Sequence, residues 1–99
     1  MSVRAKFLVE KIECSHQTKY KNGSDGKPDY RQPYPVEMRT VHMRPVFGNG
    51  DPNHENTKFW EASPSGGLIL GTINPGAWQQ FELGKEHYLD FSPAPDAEG

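Results

Sequence analysis

Apolar and charged residues alternate over the first ten positions of the chain. In "VRAKFLVEKI", Val3, Ala5, Phe7 and Val9 fall on one side of an extended backbone and Arg4, Lys6 and Glu10 on the other, with Leu8 as the exception. Period two with β-branched and aromatic residues predicts a strand. The pattern then stops. Residues 15–35, "SHQTKYKNGSDGKPDYRQPYP", have almost no aliphatic side chains and carry the turn signals N-G, D-G and K-P. A segment of that kind predicts a long polar loop. Alternation returns in "PVEMRTVHMRPVF", where Val36 and Met38 share one phase and Val41 and Met43 the other. The slip near Arg39–Thr40 predicts a bulge or bend in a second strand. Pro45 marks the strand's end, and "GNGDPNHENT" reads as a second polar loop.

Beyond it, "KFWEAS" and "GLILGTI" flank "PSG" and predict a hairpin. Gly71 inside the second arm marks a bend or a close approach. "NPGAWQQFELG" carries the helical signal: Asn74 suits the N-cap, Pro75 the first helical position, and Gly84 a left-handed closing residue. "KEHYLDFSP" predicts a last strand with His87, Leu89 and Phe91 on one face, and residues 92–99 read as a frayed acidic tail. The order predicts an all-β fold. It is that of a small five-stranded barrel, SH3-like or OB-like, with one short helix before the last strand, and a β-sandwich is the alternative. A chain of 99 residues forms a single domain over 1–99.

Composition narrows this further. The hydrophobic fraction is 33%, beside nine prolines and ten glycines, so the core is small and its aromatic rings, at ~150–250 Å² each, dominate it. Cys14 is the sole cysteine, which excludes an internal disulfide and reads as a small buried hydrophobe. No apolar run approaches the ~18 residues of a membrane span and no signal-peptide pattern is present, so the expectation is a soluble chain made in a reducing cytoplasm. Residues 1–45 carry a net charge of +4 and residues 46–99 a net charge of −6.

Candidate chemistry is sparse. The four histidines show no helical metal-binding spacing and have no cysteine pair beside them. "DPNHE" lacks the glycine and the closing glutamate of a calcium loop. Ser63 and Ser65 sit in a Pro-Gly turn, and "GNG" and "SGG" do not match the spaced glycines of a phosphate cradle. The expectation is a non-enzyme with no cofactor and no metal. The polar loop interleaves Lys19, Lys21, Lys27 and Arg31 with Tyr20, Tyr30 and Tyr34. Basic groups among stacking rings are how nucleic-acid single strands are held. Asp25 and Asp29 in the same loop, and a net charge of −2, weigh against binding driven by phosphate. The candidate contact residues are Tyr20, Lys27, Tyr30, Arg31 and Tyr34, with Asp51 and His54 from the second loop. Ordering a polar loop costs ~1–2 kcal/mol per residue, so it is expected to be mobile alone and ordered against a partner.

One stretch carries a resemblance. Phe59, Trp60, Ala62, Ser63, Pro64, Ser65 and Gly66, then Asn74, Pro75 and Ala77, then Phe81, Gly84, Lys85, Tyr88, Leu89, Asp90, Phe91 and Pro93 resemble the pattern of small structural proteins encoded by tailed bacteriophages. The opening "SVRAKF" fits as well, while the long polar segment and His87 depart from it. The resemblance implies a structural protein located in the virion, decorating or stabilising the capsid. Its partner would be the major capsid protein, with a homo-oligomer on the lattice as a further expectation. The alternatives are a single-strand-binding accessory protein and an inhibitor of a host protein.

Overall fold

Two long strands organise the chain. In the computed structural model, which describes residues 3–95, β1 (Val3–Asn22) and β2 (Pro28–Pro45) pair antiparallel along nearly their whole length. There follow α1 (Glu55–Trp60), β3 (Leu68–Thr72), α2 (Pro75–Trp78) and β4 (Glu86–Phe91). The strands form one four-stranded antiparallel sheet in the order β3-β2-β1-β4. β4 covers β1 only over Val3–Leu8, and β3 covers β2 only over Arg39–Met43. Beyond Cys14 and Arg39 the β1–β2 hairpin runs on as a bare two-stranded ribbon to the pair Asn22–Pro28. At the usual rise per residue that is roughly 25 Å of arm. The radius of gyration is 18.4 Å, against ≈ 13 Å for a compact domain of about 100 residues.

The core lies where the sheet is widest. Ala5, Phe7, Val9, Val41 and Met43 are buried, with Ile12, Trp60, Leu68, Phe81 and Leu89 packed around them. The alternation predicted for Val3–Val9 holds: Ala5, Phe7 and Val9 face inward, and Leu8 is half-buried on the other side. The phase slip in "PVEMRTVHMRPVF" has a different cause. β2 runs regularly through Arg39 and Thr40, and the register shift lies opposite, between Val9 and Lys11 of β1. Both phases of β2 are apolar because Val41 and Met43 enter the core on one face, while Met38, on the other, lays its methyl group over Gly71 of β3. Gly71 therefore marks a close approach.

Several expectations are corrected. The sheet is open and has four strands among the described residues, not the five of a closed barrel, and no second sheet makes a sandwich. Residues 15–35 are not a loop: most of them are the paired far half of the hairpin, and only residues 23–27 turn the chain. "KFWEAS" is not a strand. Lys58–Trp60 end α1, so Trp60 meets Phe7 (centroids 6.2 Å apart) and Phe59 meets Phe91 (6.3 Å). α2 is where the sequence placed it, with Asn74 as N-cap accepting from the Gly76 amide and Pro75 first, though the helix stops at Trp78 and Gly84 (φ 83°) turns the following loop. Of the expected tail, residues 92–95 are exposed and irregular, and 96–99 lie outside the described residues. Cys14, expected in the core, is exposed on the ribbon's root.

A buried side chain of α1 completes the end of the sheet ladder. At the end of the β1–β2 ladder the Val46 amide still donates to the Lys6 carbonyl (3.0 Å). The Asn56 carboxamide fills the rest. It accepts from the Lys6 amide (2.6 Å) and donates to the carbonyls of Lys6 (2.8 Å) and Val46 (2.6 Å). Asn56 is fully buried, and this mimicry of a strand satisfies the groups that a frayed ladder would leave bare.

Candidate functional site: a projecting ribbon

The ribbon ends in a turn written by its own residues. The Gly26 amide donates to the Gly23 carbonyl (3.0 Å) and the Gly23 amide to the Lys27 carbonyl (2.8 Å), with Gly26 at φ 79°. That is a type I turn closed by a left-handed glycine, a common hairpin end. The Asp25 carboxylate accepts from the Lys27 amide (3.0 Å). Just behind the turn the register slips between Tyr20 and Asn22, and β2 gathers its surplus residues around Asp29. The Asp29 carboxylate accepts from the Arg31 amide (3.0 Å), from Arg31 Nε (3.1 Å) and from the Gln32 carboxamide (2.8 Å). These donors, Arg31 first, hold the Asp29 carboxyl below its ordinary range. A polar hollow of about 480 Å³ lies beside it, lined among others by Ser24, Asp25, Lys27 and Arg31.

The candidate residues divide by this geometry. Tyr20 and Tyr30 come together edge to face, centroids 5.0 Å apart, with Tyr30 75% exposed. Lys27 and Arg31 line the polar hollow at the tip, and the Arg31 side chain is 90% exposed despite its bonds to Asp29. Tyr34 is opposite Lys19 and therefore projects from the other face than Tyr20, which is opposite Pro33. Asp51 and His54 are not on the ribbon at all. His54 is the N-cap of α1, its Nδ1 accepting from the Asn56 amide (3.0 Å), and Asp51 closes the turn before it, bonding the amides of Asn53 (2.9 Å) and His54 (3.0 Å). Both are occupied in holding α1. Lys19, Lys21 and Lys27 enter no ion pair among the described residues, whereas Arg4, Lys6, Arg39 and Arg44 each have one.

A second polar cluster sits on the base and gave no sequence signal, because its members are far apart in the chain. Arg4 is bonded to Asp90 (2.6 and 3.1 Å) and lies 4.5 Å from the centre of the Tyr88 ring, whose hydroxyl donates to Glu55 (2.9 Å). Arg4 holds Asp90 below its ordinary range. Glu55 is lowered by its own backbone amide and then by Tyr88. Arg4 with Asp90 and Tyr88 with Glu55 bond one another across three elements, which is the arrangement of a surface latch. Among the described residues no group of three or more His, Cys, Asp and Glu is placed to hold a metal ion, and no helix is long and apolar enough to cross a membrane. The chain matches no protein-family model, no curated protein and no solved structure.

Proposed function

We propose that this protein works by contact, as a structural component of a larger assembly, with the ribbon as the arm that reaches a neighbouring subunit. The observation that carries the reading is the β1–β2 ribbon beyond Cys14 and Arg39, which no third strand flanks among the described residues. A two-stranded hairpin alone is marginal in water, so an arm of this length is best accounted for by a surface that receives it. Its chemistry defines the partner: exposed tyrosine rings give contact area with few rotors to freeze, and the free ammonium groups of Lys19, Lys21 and Lys27 match an acidic protein surface. The phage resemblance supplies the assembly, a tailed-phage capsid whose major capsid protein is the partner, with the protein decorating or stabilising the lattice. Symmetry then multiplies contacts that are individually weak.

Mass spectrometry of purified particles from the source tests the assembly. The expected result is this chain at a copy number comparable to that of the major capsid protein. Its absence from particles, or salt-sensitive retention of the pure protein on single-stranded DNA, would replace this reading with the inhibitor or the nucleic-acid reading respectively.

A further inference from the structure

The two long edges of the ribbon are not alike. Along an antiparallel strand, the amide and carbonyl of alternate residues point to the same side. The Val46 amide bonds Lys6, so the even residues of β2 turn toward β1. The odd ones turn outward, as the pairing of Arg39, Val41 and Met43 with β3 agrees. Farther along, the outward positions of β2 include Pro33 and Pro35, which have no amide to offer. That edge is closed to strand addition. On β1 the Val9 amide points outward to the Lys85 carbonyl (2.9 Å). The bulge at Glu10 then reverses the phase, so Ile12, Cys14, His16, Thr18 and Tyr20 present their amides and carbonyls outward. None of these is a proline, and β4 stops at Leu8.

We propose that this open β1 edge pairs with the same edge of a second copy, antiparallel about a twofold axis at His16. Three features of the ribbon select a second copy. The regular run of β1 is bounded by register shifts at Val9/Lys11 and Tyr20/Asn22, so full-length pairing has one register, with Ile12 opposite Tyr20, Cys14 opposite Thr18 and His16 opposite itself. In that register Glu13 of each copy faces Lys19 of the other, an unlike pair made twice by symmetry. The merged ribbons then pass the three-strand minimum at which a sheet becomes stable alone. This pairing goes beyond the contact reading and does not depend on which assembly receives the arm.

Sedimentation velocity across a concentration series, with variants, tests it. The wild-type protein is expected to dimerise. His16→Pro removes an outward amide, leaves the β1–β2 ladder intact, and is expected to raise the dissociation constant at least tenfold. Lys19→Glu is expected to weaken the dimer and Glu13→Lys/Lys19→Glu to restore it. Directly opposed residues have Cα atoms ≈ 5.5 Å apart, within disulfide reach, so Thr18→Cys is expected to cross-link through Cys14 of the second copy on mild oxidation. A wild-type chain that stays monomeric up to about 1 mM overturns the proposal and leaves the contact reading standing. So does a dimer that neither His16→Pro weakens nor Thr18→Cys traps, because it would then form through another surface.

Discussion

Lys6 turns its amide and carbonyl toward β2 at a point where β2 has already given way to a loop, and only the Asn56 side chain completes the bonding there. Asn56→Leu keeps the branched side-chain shape but removes every side-chain bond, leaving the Lys6 amide and the Val46 carbonyl buried without partners. An unsatisfied buried group costs ≈ 1–3 kcal/mol, so the expected loss is about 2–4 kcal/mol in urea denaturation. Asn56→Asp still accepts from Lys6 but sets a carboxylate against two carbonyls. Its loss is expected to be larger at neutral pH and partly relieved below about pH 4, where the protonated acid donates one bond. Acidification acts on the wild-type chain in the opposite direction. Asp29, Asp90, Glu13 and Glu55 are all held below their ordinary range, Asp29 and Asp90 chiefly by Arg31 and Arg4, Glu13 by His42 and Glu55 by its own backbone amide. A carboxyl lowered on folding stabilises the fold above its unfolded value and loses that contribution as pH falls through the folded one. Thermal melts are therefore expected to hold steady from neutral pH to about pH 5 and to fall steadily below about pH 4. Asp29→Asn should remove the part of the fall that amide exchange locates at Arg31.

At the scale of elements, the ribbon and the base are separable on the ladder they share. Ser15 and Met38 face each other as a mutually bonded pair, the kind that a two-residue Asn-Gly turn closes well. Replacing residues 16–37 by Asn-Gly is expected to leave a base that unfolds cooperatively, with a midpoint within a few degrees of the parent, because no core residue lies in the excised segment. The same variant should lose binding to the partner assembly, read by co-sedimentation with particles. Which elements were legible follows from how local their causes are. β1's inner half announced itself by alternation, α2 by Asn74 and Pro75, and β4 by the spacing of His87 and Leu89. The outer half of the hairpin did not, because both its faces are wet and alternation needs one dry face to write it; N-G, D-G and K-P marked the turn correctly but not how narrow it is. α1 was hidden for another reason. Its N-cap is His54, outside the usual set of capping residues, and its last residue is followed by Glu61 in a left-handed conformation (φ 53°) where glycine is the familiar sign. The candidate site was half legible. The basic and tyrosine pattern located the arm, but sequence spacing could not show that Tyr34 leaves the opposite face, nor that His54 and Asp51 are used up by the helix cap.

For the whole molecule, the charge imbalance along the chain has a folded meaning. The basic first part and the acidic last part meet where β1 runs beside β4, in the pairs Arg4–Asp90 (2.6 Å) and Lys6–Glu86 (4.0 Å). Within the first part, Arg44–Glu10 (3.3 Å) and Arg39–Glu37 (2.7 Å) consume two more cations. What remains uncompensated is gathered on the arm, at Lys19, Lys21 and Lys27. If the arm meets an acidic partner surface as proposed, that contact should weaken as salt rises, since exposed charges are screened over ≈ 8 Å at physiological ionic strength, while stability of the base should change little. The shape itself can be measured. With extents of 57 × 39 × 19 Å and a radius of gyration of 18.4 Å, the free chain is expected to scatter X-rays as an elongated particle of about that radius when diluted below self-association, and His16→Pro should do so up to concentrations about tenfold higher. A ribbon that collapsed onto the base would bring the value toward ≈ 13 Å. An arm that melted would raise it and erase the amide protection expected for the inward residues Ser15, Gln17 and Lys19. Scattering and exchange together thus separate a preformed arm from one that takes its shape only on its partner, and the paired ladder of β1 and β2 predicts the preformed one.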